Sequence, residues 1–161
     1  MQVKIKKIHP DAVVPQYAHP GDSGFDLVAV EDVTIYPQET VLVKTGLIFA
    51  VPEGFELQVR PRSGLSLKTP LRVSNSPGTV DSKFRGEVCV IVTNTALHSD
   101  FHSLIHRQYF QPARFTAPAV IKKGDRVAQG VIAPVIRAEF QETESLDETE
   151  RGTGGFGSSD V

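Results

Sequence analysis

"FELQVR", Phe55 to Arg60, alternates apolar and polar residues at period two, while "VCVIVT", Val88 to Thr93, is apolar on both faces. The first pattern suits a strand with one face in a core, and the second a central strand covered on both sides. Working outward, 13 glycines and 11 prolines punctuate the chain, and most segments between them are too brief for helices. Further strands are expected at Val3 to Ile8, Val33 to Ile35, Thr40 to Phe49, Leu71 to Ser74, Ala119 to Ile121 and Arg126 to Ile136. About eight short strands without βαβ spacing describe an all-β sandwich, jelly roll or closed barrel.

One segment breaks this pattern. In "LHSDFHSLIHRQY", Leu97, Phe101, Leu104 and Ile105 recur on one face of a helix, so a short helix is expected within an insert spanning roughly residues 95–118. Its His98, His102 and His106 follow one another at four-residue steps. Three histidines on successive turns do not easily reach one Zn²⁺ or Ni²⁺ ion, so the stripe reads as a polar helix face. A docking face for a protein partner is the functional alternative. Beyond the strands, "QETESLDETE" (Gln141 to Glu150) is acidic and almost without apolar residues, a linker to the glycine-rich "RGTGGFGSS" of Arg151 to Ser159. The expected organisation is a β core over 1–140 and a linker with a terminal strap over 141–161.

Composition narrows the function. A chain of 161 residues, 40% of them apolar, suits one well-buried domain. The net charge of −2 provides no basic field, which disfavours general nucleic-acid binding and leaves any anionic ligand to local arginines and backbone amides. The single cysteine, Cys89, rules out an intrachain disulfide and a cysteine-built metal site, and reads as a small core residue. "MQVKIKK" has no signal-like apolar stretch, and no run approaches the ~18 apolar residues of a membrane span, so a cytoplasmic protein without a membrane partner is expected.

Five stretches carry candidate chemistry. "RPRSGLS" (Arg60 to Ser66) ends a strand with guanidinium, hydroxyl and backbone amide groups that suit phosphate oxygens, or form a solvated turn. In "NSPGTVDSKFRGE" (Asn75 to Glu87), Pro77 and Gly78 force a turn, and Asp81 and Phe84 fall at a hairpin-like position. A carboxylate beside an aromatic ring can orient a water next to a flat ligand, and the alternative is that Asp81 stabilises the turn. "PGDSGFDL" (Pro20 to Leu27) offers hard oxygens to a Mg²⁺ ion that keeps its waters, or makes an Asp-Gly turn. "KKGDRVAQG" is a turn into a strand, with Gln129 able to donate to an oxyanion. The terminal glycines lack the Lys-Ser/Thr ending of a P-loop, so they bind phosphate only by closing over it from outside. Arg151 and Phe156 would then offset an ordering cost of about 1–2 kcal/mol per residue.

Taken together, "DSGFDL", "RPRSGLS", "NSPGTVDSKFRGE", "KGDRVAQ" and "RGTGGFGSS" resemble, in order, the five motifs of the trimeric deoxyuridine triphosphatase (dUTPase) family. The resemblance implies a β-clip or jelly-roll homotrimer with shared active sites. It implies cleavage of dUTP to dUMP and pyrophosphate with Mg²⁺, limiting uracil in DNA and supplying dUMP for dTMP synthesis. It assigns Asp26 to the metal through water, and Arg62, Ser63, Gly64 and Gln129 to phosphate. Asn75, Gly78, Thr79 and Val80 would read the uracil edge, Asp81 would activate the attacking water, and Phe84 would pack on deoxyribose. Arg151, Phe156 and Gly157 would form the strap, with Arg151 on the γ-phosphate and Phe156 over uracil.

Three features depart from the family pattern: Phe84 stands where tyrosine is common, Ser23 stands where alanine is more usual, and the stretch from Asn94 to Gly124 is longer than usual. A related deoxycytidine triphosphate deaminase would carry a glutamate three residues before Asn94, where this chain has Ile91. The remaining alternative is a catalytically weak, nucleotide-dependent regulatory or partner-binding protein on the same scaffold.

Overall fold

The computed structural model describes residues 1–97 and 117–155. Eleven strands and one short helix follow in the order β1 (Lys4–Lys7), β2 (Phe25–Val28), β3 (Val33–Ile35), β4 (Thr40–Lys44), β5 (Leu47–Ala50), β6 (Phe55–Arg60), α1 (Ser63–Lys68), β7 (Leu71–Val73), β8 (Gly78–Val80), β9 (Cys89–Asn94), β10 (Ala119–Ile121) and β11 (Arg126–Pro134). Every pairing is antiparallel. A four-stranded sheet of order β2-β11-β6-β8 and a three-stranded sheet of order β4-β9-β7 are accompanied by the pairs β1-β5 and β3-β10. The all-β class expected from the glycine and proline spacing is borne out. The inserted helix and its histidine stripe fall on residues 98–116 and lie outside the described residues.

The core follows from the alternation. Leu57 and Val59 of "FELQVR" are buried while Glu56, Gln58 and Arg60 face outward. On β9, Val90, Val92 and Asn94 are buried and Cys89, Ile91 and Thr93 are only half-covered. The strand is central in its sheet, as expected, but one of its two apolar faces is incompletely covered within this chain. Cys89 lies on that face, opposite Lys44, and is therefore not the core residue expected. Partial burial and the neighbouring Glu87 push its thiol pKa up, which keeps it protonated and poorly nucleophilic. Phe25 and Phe49 stack at 6.0 Å between ring centroids, and Tyr17 meets the edge of Phe25 at 5.7 Å.

The run Thr40 to Phe49, expected as one strand, is broken into β4 and β5 at Thr45-Gly46. Gly46 has φ 66°, and a methyl placed on it would meet the Cβ atoms of His9 at 2.6 Å and Ala12 at 2.9 Å. The break lets one apolar run serve two sheets, β4 pairing with β9 and β5 with β1. Thr45 is buried and donates through Oγ1 to Val88 O at 2.5 Å, and Glu87 Oε1 accepts from Gly46 N at 2.7 Å. The other buried polar residue, Asn94, donates to Ile35 O at 2.9 Å and accepts from Ala96 N at 3.0 Å, tying the end of β9 to β3.

Two elements were read differently from sequence. Phe25–Val28 is a strand, although the two aspartates of "PGDSGFDL", Asp22 and Asp26, suggest an Asp-Gly turn. Ser63–Lys68 is a helical turn and a half rather than a simple turn. Gly46→Ala should lower stability by about 2 kcal/mol, because alanine pays both for the left-handed backbone and for the close approach of two Cβ atoms. The shift in urea midpoint at fixed protein concentration measures it.

Candidate active site

The arrangement starts from β11, which is paired on both edges. Gln129 lies opposite Asp26 of β2 on one side and opposite Arg60 of β6 on the other. Directly paired residues share a face, so Asp26, Gln129 and Arg60 form one row across three strands. Gln129 is held in place: its Nε2 donates to Pro61 O at 2.9 Å, and its Oε1 lies over Gly24, where a methyl group would come within 2.6 Å of it. A side chain at position 24 would displace the Gln129 amide from this place.

Asp26 is embraced by two cations. Arg62 Nε lies 2.7 Å from Oδ1 and Arg126 Nη1 lies 3.3 Å from Oδ2, while Arg62 Nη1 donates to Arg126 O at 3.2 Å. Two guanidiniums against one carboxylate leave the row net positive. Ser63 and Gly64 open α1, whose N-terminus has no side-chain cap, so its first amides point free beside Arg62. The turn that launches β11 is clamped by Asp32, which accepts from Lys123 N at 2.8 Å and pairs with Lys122 Nζ at 2.9 Å. The Lys123 amide, followed by the Lys122 ammonium, holds the Asp32 carboxyl below the usual carboxylate range. The clamp therefore persists above that range and is lost as pH falls through the lowered value.

The second half of the site is the segment between β7 and β9. The hairpin expected here is not a paired one: Gly78–Val80 is hydrogen-bonded to Leu57–Val59 of β6, and the chain then crosses to β9 in the other sheet. Asn75 packs across Gly78, where a methyl would meet Nδ2 at 3.0 Å. Thr79 stands opposite Gln58 on the exposed face, and Val80 is half-buried. Asp81 is exposed at the end of β8, and Phe84 N donates to its carbonyl at 3.0 Å in the turn that follows. The Phe84 ring, 43% exposed, lies against Gly86, and a methyl there would come within 2.5 Å of the ring. A glycine at 86 thus sets where the ring rests.

Within one chain these halves do not meet. Asp81 lies near the start of β6 and the Asp26–Gln129–Arg60 row near its end, separated by about 14 Å from Arg60 to about 20 Å from Asp26 at ordinary strand rise and spacing. Arg151 lies in a turn of its own, donating to Gly154 O at 3.0 Å. Phe156 and Gly157 lie outside the described residues. Sequence reasoning did not single out Arg60 or Arg126 individually, though the alternation of "FELQVR" already placed Arg60 on the polar face.

A family model for dUTPase matches residues 11–101 and 114–160. The chain belongs to the dUTPase family. It is 48% identical over 161 residues to the deoxyuridine 5'-triphosphate nucleotidohydrolase of Helicobacter pylori (strain P12), covering all of this chain and 98% of that one. Its fold is similar to the Staphylococcus bacteriophage 80alpha dUTPase solved with dUpNHpp, with a TM-score of 0.85, 30% identity and 99% of each chain covered. It is also similar to a mutant dUTPase from phage phi11 of S. aureus, described with a structural Mg(II) ion, with a TM-score of 0.75 and 26% identity over 90% of this chain and 98% of that one. The resemblance read from the five motifs is borne out, and with it the reading of the chain as an enzyme, a dUTP diphosphatase. Gly86→Ala should push the Phe84 ring from its place and lower the ratio of kcat/KM on dUTP to that on UTP by about tenfold, a difference of ~1.4 kcal/mol in the transition state.

Proposed function

We propose that the chain hydrolyses dUTP to dUMP and pyrophosphate as a homotrimer whose sites are shared between copies. The separation of Asp81 from the Asp26–Gln129–Arg60 row carries this reading. A nucleotide whose phosphates rest on that row cannot also present its α-phosphorus to Asp81 of the same chain, so Asp81 must come from another copy. The half-covered second face of the three-stranded sheet supports the same conclusion. Leu42, 60% exposed, stands opposite the half-covered Ile91, an apolar patch that association would bury.

In the assembled site, Asn75 and the backbone of Gly78, Thr79 and Val80 read the uracil edge, and Phe84 packs on the deoxyribose. Arg62, Ser63, Gly64 and Gln129 hold the phosphates. Asp81 accepts the proton of a water as its oxygen bonds to the α-phosphorus. The bond from that phosphorus to the α,β-bridging oxygen breaks, and its electron pair leaves with pyrophosphate. Positioned donors aimed at the phosphoryl oxygens supply most of the stabilisation.

Among the described residues no three His, Cys, Asp or Glu side chains converge on a metal position. One partly exposed carboxylate beside a phosphate site fits an ion that keeps its waters and arrives with the triphosphate, rather than a caged ion. Asp26 would hold such a Mg²⁺ ion through water, and the ion when bound would offset charge on the phosphate oxygens. Before that, Arg62 and Arg126 hold the carboxylate in position.

The domain reading follows: a β core over 1–140, and over 141–161 a linker and strap that place Arg151, Phe156 and Gly157 over the nucleotide. Residues 135–155 contain no strand or helix, and Ile136 and Phe140 are more than nine-tenths exposed, as suits a segment that packs on another copy. No helix among the described residues is long and apolar enough to cross a membrane. The reading is of a cytoplasmic enzyme of nucleotide metabolism.

Pyrophosphate release from dUTP, dCTP, dTTP and UTP with Mg²⁺, compared side by side, tests the substrate. Release from dUTP alone is expected, and an untouched dUTP would overturn the reading. Asp81→Asn should still bind nucleotide but hydrolyse it at least ~10²-fold more slowly, and near-normal turnover would remove Asp81 from its role. Truncation before Arg151 should greatly reduce release while the far-ultraviolet spectrum of the β core is retained.

A further inference from the structure

Arg60 opens "RPRSGLS", but the family resemblance gives individual roles only to Arg62, Ser63 and Gly64 of that motif. It ends β6 directly opposite Gln129, on the exposed face that also carries Asp26. Paired residues on antiparallel strands hold their Cβ atoms about 4.5–5.5 Å apart, so a guanidinium at position 60 that leaves Gln58 is long enough to reach a group bound beside Gln129. Its direction is set by its own strand. Nε donates to Gln58 Oε1 at 2.8 Å and Nη2 to the same oxygen at 2.5 Å, while Gln58 Nε2 donates to Glu56 Oε1 at 2.5 Å. Glu56, Gln58 and Arg60 thus form a hydrogen-bonded line along the polar edge of "FELQVR".

The two arginines flanking Pro61 differ in what holds them. Arg62 is committed to a carboxylate, Asp26, at 2.7 Å. Arg60 is held by a neutral amide and makes no ion pair among the described residues. It is exposed and keeps an uncompensated charge, with its Nη1 hydrogens and one on Nη2 left for another acceptor. An exposed arginine held only by a neutral amide, its charge unmatched, exchanges that amide for an anion at little cost.

We infer that Arg60 binds a phosphate oxygen of the nucleotide beside Gln129, and holds free pyrophosphate at the same place. This rests on the reading of the row as the phosphate half of the site. Arg60 adds affinity for the triphosphate chain beside Arg62, whose guanidinium also keeps Asp26 in position. The base and sugar contacts, made by the segment around Asp81 on another copy, do not depend on it.

The test uses the full-length protein carrying Arg60→Gln, Arg60→Lys or neither, titrated with inorganic pyrophosphate and separately with deoxyuridine, together with steady-state hydrolysis of dUTP. Arg60→Gln should weaken pyrophosphate binding and raise KM for dUTP by about tenfold or more, the fold-change of one lost charge-assisted bond, with kcat changed far less. Deoxyuridine binding should be unchanged, and Arg60→Lys should recover part of the loss. Pyrophosphate binding that is unaltered in Arg60→Gln overturns the inference. Equal weakening of pyrophosphate and deoxyuridine also overturns it, by making Arg60 a structural part of the sheet. Failure of the unsubstituted protein to cleave dUTP would instead overturn the reading of the site, and the pyrophosphate titration would still decide whether Arg60 binds phosphate.

Discussion

The register of β11 is the constraint on which the rest depends. Because it is hydrogen-bonded to β2 on one edge and β6 on the other, a single residue, Gln129, is placed beside Asp26 and beside Arg60. A slip of one residue on either edge would turn the polar row into the core and bring Leu27 or Val59 to the surface. The buried inner face therefore enforces the geometry of the outer one. Gly130 adds to this, since a methyl on its inward side would collide with the Phe25 ring and meet Leu57 Cδ1 at 3.0 Å. The strand is pinned where packing is tightest, and the chemistry stands on its exposed side.

Charge on that exposed side is arranged unevenly. Asp26 has two arginines, Arg62 and Arg126, and is one-third exposed. At such exposure an ion pair contributes little to stability after solvent screening, so its worth lies in geometry rather than in folding energy. Arg62 also binds the backbone of Arg126, so the end of β6 and the start of β11 are cross-linked through one side chain. The Asp32 clamp on Lys122 and Lys123 does the same for the turn before β11. The surface ion pairs around the site thus define where backbone segments meet, and the net positive charge left over is available to an anionic ligand.

Much of this was legible in the residues. Period-two alternation located β6, and its polar positions are those that face the site. The five motifs single out Asp26, the Arg62–Ser63–Gly64 turn, Asp81, Gln129 and Arg151 as candidate site residues. What was not legible has physical reasons. The break at Gly46 is dictated by His9 and Ala12, thirty and more residues away, which local pattern does not reveal. The pairing of β8 with β6 rather than β9 is a choice between two sheets, and turn residues such as Pro77 and Gly78 mark only that the chain reverses. Cys89 was misplaced because apolar composition on both faces of a strand was read as burial within one chain. Here the second face is left for contact outside it.

That second face and the divided site follow from one topological fact. β6 carries the Arg62–Ser63–Gly64 turn at its C-terminal end and, through β8, Asp81 near its N-terminal end, so the strand itself keeps these residues apart. A strand cannot fold back on itself to close a gap of about 14–20 Å. Rotational symmetry can, by bringing the start of one copy's β6 to the end of another's. The same operation covers Leu42 and Ile91 and gives the exposed segment from Ile136 onward a surface to follow. An isolated chain would then be both incompletely buried and catalytically incomplete, so assembly and activity are expected to share a single concentration dependence.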